Sequence, residues 1–331
     1  MVADAFFPRL MGDEWFRFSY QDFAFSFLSI LLEGIPFVLL GTIISGLVDA
    51  FLPAGAMTRL LPRRAVPAIM LSGGLGMVFP MCECGVVPVI RRLMGKGLPI
   101  ACAIAYMLAA PIVNPVVALS TFAAFQGQEP VLMTGLRLGC GFLVAVTAAM
   151  VIGRLRPEWI LRKRILGSLP KPVREGEGTV AKKVRHQRDW KALRKKIGTA
   201  AAVTTSDFID VAMYLVIGAS IAALFNTAVN QEVVLPLAAN ALLAIVSMMS
   251  LSALLSLCST SDAFIAATLT FFPFASRLAF LVLGPMVDLK LIFLYAMVFR
   301  KRLVIGMCAG VFVLSGLICL VLHHMFLESV M

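Results

Sequence analysis

The chain is 331 residues long, 60% hydrophobic and only 14% charged, with mean hydropathy +0.94, a composition outside the range of soluble globular domains that marks a polytopic membrane protein. Three histidines, two of them adjacent at His323 and His324, leave no basis for haem, multi-histidine zinc or Ser-His-Asp chemistry. The net charge of +11 is no nucleic-acid signal, because Arg154 to Gly198 holds 15 Lys/Arg against 4 Asp/Glu and so carries the entire excess, while the rest of the chain balances at 14 of each.

In chain order, residues 1–22 mix Asp4, Arg9, Asp13, Glu14 and Arg17 with aromatics and lack a continuous apolar run, which predicts an interfacial segment and not a cleaved signal peptide. A first membrane repeat is predicted over 23–153, a basic linker over 154–200 and a second, inverted membrane repeat over 201–325. Six apolar stretches are long enough to cross about 30 Å of hydrocarbon. They run from Phe23 to Asp49, Leu98 to Phe125, Val131 to Ile152, Ala201 to Phe225, Phe274 to Val298 and Leu303 to Leu322. Two more are interrupted, each as a re-entrant hairpin or a pair of short spans. Ala65 to Leu93 is broken by glycines and by Pro80 and Pro88, and Val234 to Phe272 is broken around Cys258 to Asp262. The fold expected is an all-α inverted-repeat bundle of about 8–10 transmembrane helices. Lys/Arg clusters put the linker on the cytoplasmic side, in contact with anionic lipid, and both termini outside.

The repeat rests on a series of matches whose offset drifts one way along the chain. Glu33 meets Asp210 and Gly41 meets Gly218 at 177; Cys82 meets Cys258 at 176. Pro111 and Asn114 meet Pro285 and Asp288 at 174, and Gly135 and Gly139 meet Gly306 and Gly310 at 171. The glycine pairs read as helix-packing surfaces, and Arg91, Arg92 and Arg137 as snorkelling residues or helix ends.

The first interruption reads Phe79-Pro80-Met81-Cys82-Glu83-Cys84-Gly85-Val86-Val87-Pro88. In a continuous helix Cys82 and Cys84 would point about 200° apart, so both thiols face one ligand only where the backbone unwinds. The second, Cys258-Ser259-Thr260-Ser261-Asp262, is dense in N-cap residues ahead of an apolar run. Both clusters are therefore expected at half-helix N-termini, where backbone N–H groups and the helix dipole favour thiolates and anions. Cys102, Cys140, Cys308 and Cys319 read as small buried apolar residues. Intramembrane acids form a second group: Glu33 and Asp210 as proton-coupling residues, and Glu83, Asp262 and Asp288 at the substrate. Against that stand structural roles for Asp262 as a cap and for Asp288 as the partner of Lys290.

These residues, with Ala109-Ala110-Pro111-Ile112-Val113-Asn114-Pro115 and Cys258-Ser259-Thr260-Ser261-Asp262-Ala263-Phe264, resemble the bacterial predicted-permease family that includes the organoarsenical efflux permeases. The resemblance covers roughly Leu31 to Leu320. It implies a multi-pass inner-membrane protein whose interrupted segments handle trivalent, thiol-seeking substrates. The expected function is alternating-access transport of a small solute, a thiol-reactive metalloid compound or a small anion. Its site would be lined by Cys82, Glu83, Cys84, Asn114, Cys258, Ser259, Thr260, Ser261, Asp262 and Asp288, with no cofactor and no resident metal. The alternative is a membrane thiol oxidoreductase using Cys82 or Cys84 with Cys258 and a thioredoxin-like partner.

Overall fold

The computed structural model describes residues 20–330 except 54, 56, 58, 59, 63, 79, 80, 156–159, 162–189 and 229–239. Residues 1–19 of the predicted interfacial segment and most of the basic linker thus lie outside the described residues. The described residues form twelve α-helices and one 3-10 turn. The first six are α1 (Tyr20–Phe51), α2 (Ala65–Gly74, extended by the 3-10 turn Leu75–Met77), α3 (Glu83–Gly95), α4 (Ile100–Ala109), α5 (Pro115–Ala124) and α6 (Pro130–Ile152). The second six are α7 (Trp190–Ala228), α8 (Ala241–Leu255), α9 (Ser261–Thr268), α10 (Phe274–Leu283), α11 (Leu289–Val298) and α12 (Lys301–Val330).

Four stretches are long and apolar enough to cross a membrane: Tyr20–Phe51, Pro130–Ile152, Lys196–Phe225 and Lys301–Met325. Numerous large apolar side chains on them stay exposed, among them Leu32, Leu143, Met213 and Leu317, the pattern of a surface solvated by lipid tails and not by water. The chain is a multi-pass, all-α membrane protein.

Two of the six spans read as continuous are broken. Leu98 to Phe125 divides into α4 and α5, and Phe274 to Val298 into α10 and α11, each piece ten residues long. The cause is local. Pro111 and Pro115 withdraw backbone donors in the first break, and Asn114 accepts from the Val116 N–H at 2.9 Å to start α5. In the second break Asp288 takes the same place and caps α11 through Leu291 N–H. Eight of the twelve helices are therefore shorter than the roughly 20 residues a span requires, and they meet end to end inside the bundle.

Helix bounds recur between the halves. α4 and α10 are offset by 174, as are α5 and α11, and α1 and α7 end 177 apart. Packing recurs too: α2 on α4 and α8 on α10, α4 on α6 and α10 on α12, α2 on α6 and α8 on α12. Across the halves α3 packs on α11 and α5 on α9, corresponding partners under the same exchange.

The long pair α1 and α7 breaks this pattern. They pack along each other and lie over α3 and α11, respectively, whereas neither α1 on α5 nor α7 on α9 forms a comparable interface. Two glycines set the seat. A Cβ on Gly41 would come within 3.0 Å of the Gly85 backbone in α3, and one on Gly218 within 3.0 Å of the Lys290 backbone in α11. On the opposite side Val116, Leu119 and Phe122 of α5 and Phe264 of α9 remain exposed.

The GxxxG pairs do not pack helices within this chain. Gly135, Gly139, Gly306 and Gly310 are exposed, with no atom within 4 Å of where a Cβ would stand. They lie on the outward faces of α6 and α12, and the latter two line an open apolar groove between those helices.

Candidate functional site

The first interruption ends at Cys82, the N-cap residue of α3, whose extended backbone (φ −74, ψ 167) precedes helical Glu83 and Cys84. That change of conformation lets both thiols line one cavity. The helix then runs through Pro88, whose missing N–H leaves the Cys84 carbonyl without its helical partner. The second interruption begins at Ser256, held in the left-handed region (φ 50, ψ 42), which stops α8 and turns its last carbonyls inward. Cys258 follows, with its carbonyl accepting from the N–H groups of Ser261 and Asp262 at the start of α9.

The two interruptions meet. Cys82, Glu83, Cys84, Cys258 and Lys290, with Ile30, Glu33, Gly34 and Phe37 of α1, line one cavity of about 10 Å³, room for a single water. All three thiols are buried and free. Among the described residues no three His, Cys, Asp or Glu side chains are placed to hold a metal ion.

Lys290 is the electrostatic centre. Only 4% exposed, its ammonium donates to the carbonyls of Ser256 (2.9 Å) and Leu257 (3.1 Å) and pairs with Glu83 Oε1 (3.2 Å) and Asp288 Oδ2 (3.4 Å). Glu83 and Asp288 are each 1% exposed, and Glu83 Oε2 has no hydrogen-bond partner. Glu33, half-buried on α1, accepts from the Ser261 hydroxyl at 3.2 Å and so ties α1 to the second interruption.

A second polar centre lies on the α5–α9 side. Arg137 of α6 is fully buried, donating to both Asp262 oxygens at 2.9 Å, to the Ser259 carbonyl at 2.8 Å and to Thr121 Oγ1 at 2.7 Å. The snorkelling assignment of Arg137 is thereby overturned. A guanidinium midway along a span has no route to water and takes a carboxylate instead. Asp262 is not its helix's cap either: Thr260 is the N-cap residue, and its side chain makes no capping bond.

The sequence-selected residues fall into separate places. Cys82, Glu83, Cys84, Cys258 and Glu33 line the cavity, and Asp288 stands behind Lys290. Thr260 Oγ1 donates toward Cys258 Sγ at 3.7 Å, while Ser259 and Asp262 face Arg137. Asn114 is spent on capping α5. Asp210, matched to half-buried Glu33 in the repeat, does not line the cavity. Its side chain is 43% exposed and pairs with Arg91 at 3.4 Å. The buried acid of α7 is Asp207, one turn earlier, gripped by Arg92 (2.8 and 3.0 Å) and by the Ser45 hydroxyl (2.8 Å). Asp207 escaped notice because its neighbour matched Glu33 in the repeat. Lys290 had been named only as a partner of Asp288, although a lone lysine in an apolar run demands more than one acceptor.

Comparison with known proteins agrees with this architecture. The chain is 36% identical to the UPF0718 protein YcgR of Bacillus subtilis over 84% of its length and 89% of that protein's. It is 32% identical to a Streptococcus mutans protein named as a putative two-component membrane permease complex subunit, over 90% of this chain and 94% of that one. No solved structure matches. The family match spans residues 20–324, and the chain belongs to the predicted-permease family.

Proposed function

We propose that this permease moves a small thiol-seeking solute by alternating access, its halves acting as inverted repeats in an inner membrane with residues 154–200 on the cytoplasmic side. The observation that carries the proposal is the cavity itself. Interrupted segments from both halves deliver three free thiols to one buried space, and the α1–α7 pair closes it on one side only. Exchange of the halves defines a second seat for α1–α7, over α5 and α9, and movement between the two seats would expose the cavity to alternate faces.

The charges narrow the substrate. Two buried carboxylates against one ammonium leave no spare positive charge to hold an anion, and the thiols beside them suit an uncharged or cationic soft solute, such as a trivalent metalloid compound that exchanges onto thiols. The subunit status named for the Streptococcus relative extends to this chain as a proposal: a second membrane subunit, for which the exposed glycine faces of α6 and α12 offer close helix approach.

The test is uptake of small trivalent arsenic and antimony compounds by sealed proteoliposomes. Wild-type protein and a variant with Cys102, Cys140, Cys308 and Cys319 replaced by serine are expected to transport. The Cys82→Ser/Cys84→Ser/Cys258→Ser variant is expected to fall at least ten-fold. Equal rates in the two serine variants would overturn the thiol site.

A further inference from the structure

We propose that Glu83, Asp288 and Lys290 form the proton-coupling cluster of this permease, with one proton shared between the two carboxylates whenever α1–α7 is seated over α3 and α11. The inference rests on the transport reading above and assigns its coupling site.

A census of charge singles out this place. Asp207 has Arg92, Asp210 has Arg91, Asp49 has Lys96 and Asp262 has Arg137, each acid with its own cation, while half-buried Glu33 has the Ser261 hydroxyl. Among the described residues, only at Lys290 do two fully buried carboxylates share a single ammonium. The four oxygens around that ammonium exceed its three N–H bonds, two of which go to the carbonyls of Ser256 and Leu257. Asp288 uses its other oxygen, Oδ1, to cap α11 at 2.6 Å. Glu83 Oε2 is left buried, without a partner, beside a cavity.

An unmatched carboxylate in a dry site recruits a positive charge. The space at hand, about 10 Å³, takes no hydrated metal cation, whereas a proton needs no volume. The other groups facing Glu83 do not supply the missing charge. Glu33 from α1 and Asp262 from α9 are acids; Cys82, Cys84, Cys258 and Tyr295 are neutral or anionic. α4 carries no charged residue, and the acids of α7 are matched at the far end of α3. Withdrawal of α1 from its Gly41 contact on Gly85 uncovers Glu83 two residues away, so proton exchange follows the same motion that opens the cavity.

The experiment is a difference titration of purified, detergent-solubilised protein near neutral pH. Relative to wild type, Glu83→Gln and Asp288→Asn should each bind one proton fewer, because one carboxylate then matches Lys290. The double variant Lys290→Gln/Asp288→Asn leaves one unmatched carboxylate and should bind the wild-type number. That double variant compared with Asp288→Asn decides the count if Glu83→Gln fails to fold. Glu83→Gln titrating as wild type, or the double variant titrating as Asp288→Asn, would overturn the proposal. No substrate is needed for this measurement. A failed titration with persistent cysteine-dependent transport removes the coupling site alone, and a successful one with no transport removes the permease mechanism alone.

Discussion

At the scale of single residues, the strongest constraints are ionic groups that meet across the two halves. Arg137 and Asp262 are 125 positions apart in sequence, and neither has water to fall back on. Removing one partner of such a pair costs about 3 to 5 kcal/mol, whereas removing both and refilling the space costs far less. Arg137→Met is therefore expected to lower stability by that amount, and Arg137→Met/Asp262→Leu to recover most of it, as measured by denaturant unfolding in detergent. On α7, Asp207→Asn should destabilise by about 1 to 3 kcal/mol, because Arg92 and Ser45 lose their shared acceptor. Asp210→Asn, on an exposed pair, should change stability by less than about 1 kcal/mol in the same assay. Cys82, Glu83, Cys84 and Cys258 were legible as a group from their motifs. Arg137, Asp207 and the reach of Lys290 to Glu83 were not, since nothing local specifies a partner more than a hundred residues away.

At the scale of elements, the breaks that shape the site follow from short-range chemistry, and all four breaks were written in proline, asparagine, aspartate and serine. Two were recognised and two were hidden, because the runs around Pro111 to Asn114 and Gly284 to Asp288 are hydrophobic enough to pass for continuous spans. Hydropathy averages over about 19 residues and does not see a capped four-residue turn. Asn114→Ala should cost about 1 kcal/mol through loss of the α5 cap, read as a lower unfolding midpoint. The seat of α1 depends on backbone meeting backbone. Gly41→Ala leaves no room against Gly85, so the helix must lift, and alkylation of Cys84 by a small maleimide should accelerate several-fold. An unchanged rate would show that α1 does not guard the thiols.

At the scale of the whole molecule, the drifting offset made a correspondence between the halves legible before any coordinates, because helices that correspond in order leave matched landmarks in order. It could not reveal that most of the packing follows the exchange while α1 and α7 take one side. That asymmetry is settled by contacts, and it carries an energetic bias. In the observed seat Gly41 meets Gly85 and Gly218 meets Lys290. Exchanging the halves at offsets of 176 and 174 puts Gly218 opposite Ser261 and Gly41 opposite Val116. The glycine-to-glycine contact becomes glycine to serine, and the approach is no longer as close. Under the proposed exchange the two seats would thus be unequal in depth, the observed one being the deeper. Every 1.4 kcal/mol of difference shifts the resting ratio ten-fold, and Ser261 acts on both seats, since its hydroxyl also holds Glu33 of α1 in the observed one. Ser261→Gly is expected to raise the fraction with α1–α7 over α5 and α9, measured by spin-label distances between α1 and α5. Under that exchange the resting orientation of the permease would turn on one small residue, Gly85 in the observed seat and Ser261 in its counterpart.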